Sequence, residues 1–349
     1  MGWFATLVRE KEDSQKVIEW GITSKCNLRC KHCYMGSDIH TQYEDLNYED
    51  KIELANRISK QANNVVISGG EPLLLNNLFE ILKIMTPSCN VFLATNGTIY
   101  NDETVKKIKE AGVKSVQVSI DYLEEDLHDE FRGVKGSWKK SMQFINAVIN
   151  AGIPVITCMT VMKNNYKSIE KYVRTMKSIG VNFVYLTRFT PVGVGKKYKD
   201  LAIKGEAEKD FLVNYLKPLL QTNKEYVSTN IPQWNLYVGT MSEDSVGCSM
   251  GHMLFINSSG IVSPCPMVDI SLGNIKDNSF EELYEKKIMC ELKSREKIGG
   301  VCASCKYLRN CSGCCAWSDY EDMGMFNRNN CWIKQQFEQT NRNTSGFST

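Results

Sequence analysis

No stretch of this 349-residue chain is apolar and long enough to span a membrane or to act as a signal peptide, and Met1 to Asp13 is charged from early on where an insertion signal needs a hydrophobic run. A cytoplasmic location is the expectation. Charge of one sign is also missing, because 42 Lys and Arg stand against 40 Asp and Glu, a formal net charge of +2, with no basic block. Nucleic acid and anionic membrane surfaces are therefore not expected as partners. Hydrophobic residues make up 42% and charged residues 23%, a balance that excludes a mostly disordered chain, and the length suits one large domain and a smaller one. Cysteine is in excess. Fourteen are too many for packing alone, and in a reducing cytoplasm they do not read as a disulfide framework, which leaves metal.

From Val17 to Phe189, short runs rich in Val, Ile, Phe and Thr alternate with helical stretches, the pattern of βα units around a parallel sheet. Six strands are predicted: Val17 to Thr23, Asn64 to Ser68, Asn90 to Thr95, Val116 to Ile120, Val155 to Val161 and Asn182 to Thr187. Between them Ile52, Ala55, Ile58 and Ala62 repeat at helical spacing, as do Val105, Ile108 and Ala111; Gly112 suits the C′ position after the latter helix and Ser137 an N-cap. Six units are fewer than the eight of a closed barrel, so the expected class is α/β, a partial (β/α)6 TIM-like barrel with function at the strand C-termini. The expected divisions are an N-terminal extension over 1–16, the barrel over 17–200, a helical connector over 201–240, a cysteine-rich domain over 241–335 and a frayed tail over 336–349.

Cys26, Cys30 and Cys33 follow the first predicted strand at C-x3-C-x2-C spacing. Three thiolates in one loop can wrap three corners of a cubane, and with no fourth cysteine nearby one iron stays open for a chelating amino acid such as the methionine part of S-adenosylmethionine (SAM). Lys25, Arg29 and Lys31 would offset the charge of such a cluster. Structural zinc wants four closed ligands, and this spacing is not that of a zinc knuckle.

The triplet resembles the signature of the radical SAM superfamily, with His32 where the family usually carries an aromatic. The resemblance implies a contact of His32 with adenine, the alternative being an ordinary loop histidine. Gly69-Gly70-Glu71-Pro72, after the second strand, resembles the family's GGEP motif, which implies that Gly69, Gly70 and Glu71 accept from the SAM ammonium. Thr95, Ser119 and Asp121 end the third and fourth strands, where the family places groups for the SAM ribose and carboxylate; Arg132, in His128-Asp129-Glu130-Phe131-Arg132-Gly133, stands where relatives pair an arginine with that carboxylate. Leu186, ending the sixth strand, stands where relatives touch adenine. Gly193-Val194-Gly195-Lys196 lacks the Ser/Thr and the glycine spacing of a phosphate loop, so nucleotide hydrolysis is rejected.

Cys248, Cys265, Cys302, Cys305, Cys311, Cys315 and Cys331 match the seven-cysteine spacing of the SPASM domain. That resemblance implies two auxiliary iron-sulfur clusters, one on Cys302, Cys305, Cys311 and Cys331, the other on Cys248, Cys265 and Cys315 with its fourth ligand open to question. Cys314 could exchange roles with Cys315, whereas Cys89, Cys158 and Cys290 match nothing and read as packing thiols. The alternative is a pair of zinc ribbons.

Altogether the resemblance implies three iron-sulfur clusters, 4Fe-4S at the triplet, and SAM. It implies reductive cleavage of SAM to a 5′-deoxyadenosyl radical, hydrogen abstraction and an oxidation such as thioether, C–C or C–O bond formation. Pro266 follows Cys265 where sulfatase maturases carry an aspartate, which argues against that subgroup. The leading expectation is a maturase of ribosomally made peptides. Because little chain precedes Val17, a leader peptide would need a separate recognition protein or direct contact with the barrel, and a flavodoxin or ferredoxin type donor would supply electrons. The alternatives are a tetrapyrrole or other cofactor-synthesis enzyme, and a non-catalytic electron carrier.

Overall fold

Alternating β-type and helical runs build a parallel sheet, and the computed structural model, which describes residues 16–36, 44–240, 248–311, 313, 314, 326 and 331, has this sheet at its centre. Strands β1 (Val17–Gly21), β2 (Asn64–Ser68), β3 (Asn90–Thr95), β4 (Ser115–Ser119), β5 (Val155–Val161) and β6 (Phe183–Arg188) pair in sequence order, all parallel. Both faces of such strands are covered, so they read as apolar runs rather than as alternating ones. Helices α1 (Tyr48–Gln61), α2 (Leu78–Met85), α3 (Asp102–Glu110), α4 (Glu125–Arg132), α5 (Ser137–Asn150) and α6 (Ile169–Ser178) lie between them. Gly112 takes up the left-handed conformation after α3 (φ 71°). Ser137 does not cap α5: Gly136 holds that place, and Ser137 is the first helical residue, its hydroxyl donating to Asp129 at 2.8 Å.

The sheet runs beyond six strands. In the expected helical connector, Glu206–Asp210, Phe211–Leu216 and Lys217–Asn223 form a continuous helical run, but Val227–Thr229 is strand β7, parallel to β6. Three residues bounded by Asn230 were too short to stand out from sequence. On the other edge the cysteine-rich segment adds β8 (Met253–Ile256), parallel to β1, then β9 (Ile261–Ser263) and β10 (Gly273–Asn274), both antiparallel, to give the order β10-β9-β8-β1-β2-β3-β4-β5-β6-β7. The expected N-terminal extension apart from Lys16, the tail and Cys315 lie outside the described residues. No helix among the described residues is long and apolar enough to cross a membrane.

Candidate active site at the C-terminal edge of the sheet

After β1 the chain crosses the C-terminal edge of the sheet as the three-cysteine loop, and three neighbours fix it. Helix α4 ends in carbonyls with no partner inside the helix; those of Arg132 and Phe131 accept from the N–H groups of Arg29 and Lys31 at 3.0 Å each. Gly70 and Glu71 donate their N–H groups to the Thr23 and Lys25 carbonyls at 2.7 and 2.8 Å. A Cβ on Gly70 would stand 2.2 Å from the Lys25 oxygen, so the two loops can meet only where that side chain is absent. On the third side Val194 donates to the Cys33 carbonyl at 2.9 Å. The Gly193-Val194-Gly195-Lys196 stretch is thus a brace for the cysteine loop.

Cys26, Cys30 and Cys33 line one cavity of about 760 Å³ together with His32, Gly69, Gly70, Thr95, Ser119 and Arg132. Three expected site residues do not line it. Glu71 is fully buried beneath the site, its carboxylate accepting from Thr95 Oγ1 (2.6 Å), Asn96 N (2.7 Å) and Leu73 N (3.0 Å). Asp121, equally buried, pairs with Arg132 at 2.6 Å and accepts from Thr160 N at 3.0 Å. Leu186 points into the core because alternate residues of a strand face opposite sides, and its successors Thr187 to Thr190 reach the cavity instead. Glu71 and Asp121 therefore hold site residues in place.

Sequence reading missed Glu19, Cys158 and Met267, all of which line the same cavity, as does Arg188 at the end of β6, a stretch that the resemblance places at adenine. Glu19 carries a legible signal, a carboxylate inside the otherwise apolar strand Val-Ile-Glu-Trp-Gly. It accepts from Ser68 Oγ at 2.9 Å and Tyr34 OH at 3.3 Å, and burial pushes its pKa up against those two hydrogen bonds. Cys158, Ile156 and Thr160 share a face of β5 by alternation, so Cys158 sits in the site rather than serving only as packing.

In the cysteine-rich segment, Cys302, Cys305 and Cys331 all lie close enough to Cys311 for their charges to raise its thiol pKa, and burial, the larger effect, takes it to about 12. Cys248, Cys265 and Cys314 form a separate group amid Met250, Val268 and Leu292. Among the described residues no three Cys, His, Asp or Glu side chains are placed to hold a single metal ion.

The radical SAM superfamily profile matches residues 20–176 and the profile of the SPASM iron-sulfur cluster-binding domain matches residues 248–316. The chain belongs to the radical SAM superfamily. This radical SAM/SPASM enzyme is 28% identical over 322 residues to the AdoMet-dependent heme synthase of Methanosarcina barkeri, covering 86% of this chain and 91% of that protein. It is 27% identical over 288 residues to the sporulation killing factor maturation protein SkfB of Bacillus subtilis, covering 80% of this chain and 68% of that one. Its fold is similar to that of native anSMEcpe with bound AdoMet, with a TM-score of 0.73 at 21% identity over 93% of this chain and 96% of the other.

The donor set fits the cofactors that the radical SAM and SPASM domains imply. Leu28 N–H donates to Cys26 Sγ at 3.4 Å and Arg132 Nη1 to Cys30 Sγ at 3.7 Å, contacts of the kind that stabilise thiolate sulfur and tune a cluster. Burial opposes the charge on Arg132, but Asp121 and Cys30 outweigh it and raise its pKa. Burial alone would raise Asp121; Arg132, His32 and His128 hold it below the usual carboxylate range. Arg132 is the cation at the sulfurs, while Arg29 bonds the Cys26 and Leu28 carbonyls and Lys31 pairs with Glu130 at 2.5 Å. His32 stacks on Phe131, ring centroids 4.9 Å apart and planes 3° from parallel; burial, then Arg132, lower its pKa to about 4, so near neutrality it is an uncharged ring at the cavity wall.

Proposed function

We propose that this radical SAM/SPASM enzyme oxidises a carboxylate-bearing tetrapyrrole by hydrogen abstraction, the leftover electron passing to the SPASM clusters. The observation that carries the reading is one cavity that joins the three-cysteine loop, the strand-end polar residues and Met267, two residues beyond Cys265 of the SPASM segment. When bound at the triplet, the cluster and SAM supply a 5′-deoxyadenosyl radical by one-electron reductive cleavage. The chain's part is to hold and shield. Cys26, Cys30 and Cys33 grip the cluster; Arg132 takes up negative charge at the sulfurs and at the SAM carboxylate; Gly69, Gly70, Thr95 and Ser119 offer polar backbone and hydroxyl groups; and the uncharged His32 ring offers a flat face to adenine. Phe189, Val192 and Met35 line the cavity with apolar surface that keeps water from a reactive carbon radical.

Two observations support the tetrapyrrole. Of the four cations that line the cavity, Arg132 and Arg188 are already paired with Asp121 and Glu208, and Lys25 and Arg29 remain as cations for an anionic ligand against the carboxylate Glu19. The similarity to heme synthases also spans nearly the whole of both chains. A peptide side chain is the second reading, favoured by SkfB and by the hydrogen-bond acceptor that Glu19 offers to an N–H group. The test is anaerobic incubation of reconstituted, reduced protein with SAM and either a carboxylate-bearing iron porphyrin or candidate peptides, following 5′-deoxyadenosine and product mass. A porphyrin that loses mass in step with 5′-deoxyadenosine supports the first reading; modification of a peptide alone overturns it. A flavodoxin or ferredoxin type protein would take the reductant's place in the cell.

A further inference from the structure

Arg295 breaks two rules at once. It ends the helix Lys287–Ser294 as the one non-glycine residue with positive φ (63°) among the described residues, a conformation that costs an L-residue on the order of 1 kcal/mol. It is also only 5% exposed, with Nη2 donating to the Cys248 carbonyl at 2.7 Å, Nη1 buried without a hydrogen-bond partner, and no carboxylate paired with it among the described residues. Its surroundings are poor in compensation, since the Cys248, Cys265 and Cys314 group packs with Met250, Val268 and Leu292, the last of these one turn before Arg295. A buried cation without a counter-ion is costly, and the strained turn holds it there. Among the described residues Nη1 is thus a buried donor left open to an anion.

We infer that Arg295 is the counter-charge of the SPASM cluster held by Cys248 and Cys265, and that its unpartnered Nη1–H donates to that cluster. An iron-sulfur cluster on cysteine thiolates is anionic, and hydrogen bonds and nearby cations raise its reduction potential by favouring the more negative reduced state. Arg295 is thus a positioning and tuning residue, set to make this cluster a better electron acceptor. The role follows from the family's cofactors and holds for either substrate.

The test compares Arg295→Met and Arg295→Lys in the full chain, with Cys26, Cys30 and Cys33 replaced by alanine so that only the auxiliary clusters contribute to the electron paramagnetic resonance signal. In a redox titration Arg295→Met should move one of the two auxiliary potentials to a more negative value, while Arg295→Lys stays closer to the parent. Before iron is loaded, Arg295→Met should melt no lower than the parent, because it removes a buried unpaired charge. Loss of that cluster in Arg295→Met with retention in Arg295→Lys also supports the assignment. Unchanged potentials in iron-replete Arg295→Met overturn it, as does equal loss of iron from both variants or destabilisation of the metal-free Arg295→Met protein, since each of these marks a purely structural arginine.

Discussion

Glu71 shows how a residue can serve the site without touching the cavity. Its carboxylate collects the Thr95 hydroxyl and the Asn96 and Leu73 N–H groups where β2 and β3 end, and so fixes Thr95 at the cavity wall. Glu71→Ala strands three donors, two of them buried, and should cost on the order of 2 to 3 kcal/mol, read as a lower urea midpoint, together with weaker SAM binding measured by equilibrium dialysis. His128 adds a pH dependence. Its Nδ1 accepts from Asp121 N at 3.3 Å, and burial first, then Arg132, lower its pKa to about 4. An unfolded histidine titrates near 6.5, so below that pH the unfolded chain binds a proton that the folded chain refuses. Stability of the metal-free protein should be full above about pH 6.5 and fall as the pH drops towards 4, by up to about 1.4 kcal/mol per unit for this one group. Urea titrations of His128→Gln should show a shallower decline, and an unchanged slope would remove His128 from the account.

The loops after β1, β2 and β6 work as one unit because backbone meets backbone at Gly70 and Gly193, where a Cβ would stand 2.2 Å from Lys25 O and 2.6 Å from Tyr34 O. Gly70→Ala should push the cysteine loop aside, and iron bound per chain should fall by about four, one cubane's worth, with the SPASM clusters retained. The six parallel strands were legible because buried strands concentrate Val, Ile and Phe, and the predicted ranges fall within two residues of those found. The cysteine loop was legible from spacing, a local property. Glu71 and Asp121 were placed at the ligand because a motif names a residue but not the direction of its side chain; both turn into the protein, where strand-end N–H groups and Arg132 need an acceptor. Met267 and Arg295 were invisible because their surroundings are assembled by packing between distant segments.

Across the whole molecule, β8 of the cysteine-rich segment pairs with β1, the strand that leads into the triplet. The SPASM segment therefore finishes the sheet as well as carrying clusters. A chain ending at residue 240 would leave β1 as an unpaired, wholly buried-type edge, and such edges associate. Light scattering should find that fragment aggregated, while a soluble, iron-binding fragment would show that the barrel is independent. The central claim, that three cysteines hold a cluster with one iron left for SAM, has a direct test in the full chain with the SPASM cysteines replaced. The reduced cluster's paramagnetic resonance spectrum should change when SAM is added, with 5′-deoxyadenosine released on turnover. A spectrum indifferent to SAM, with no 5′-deoxyadenosine formed, would contradict the account.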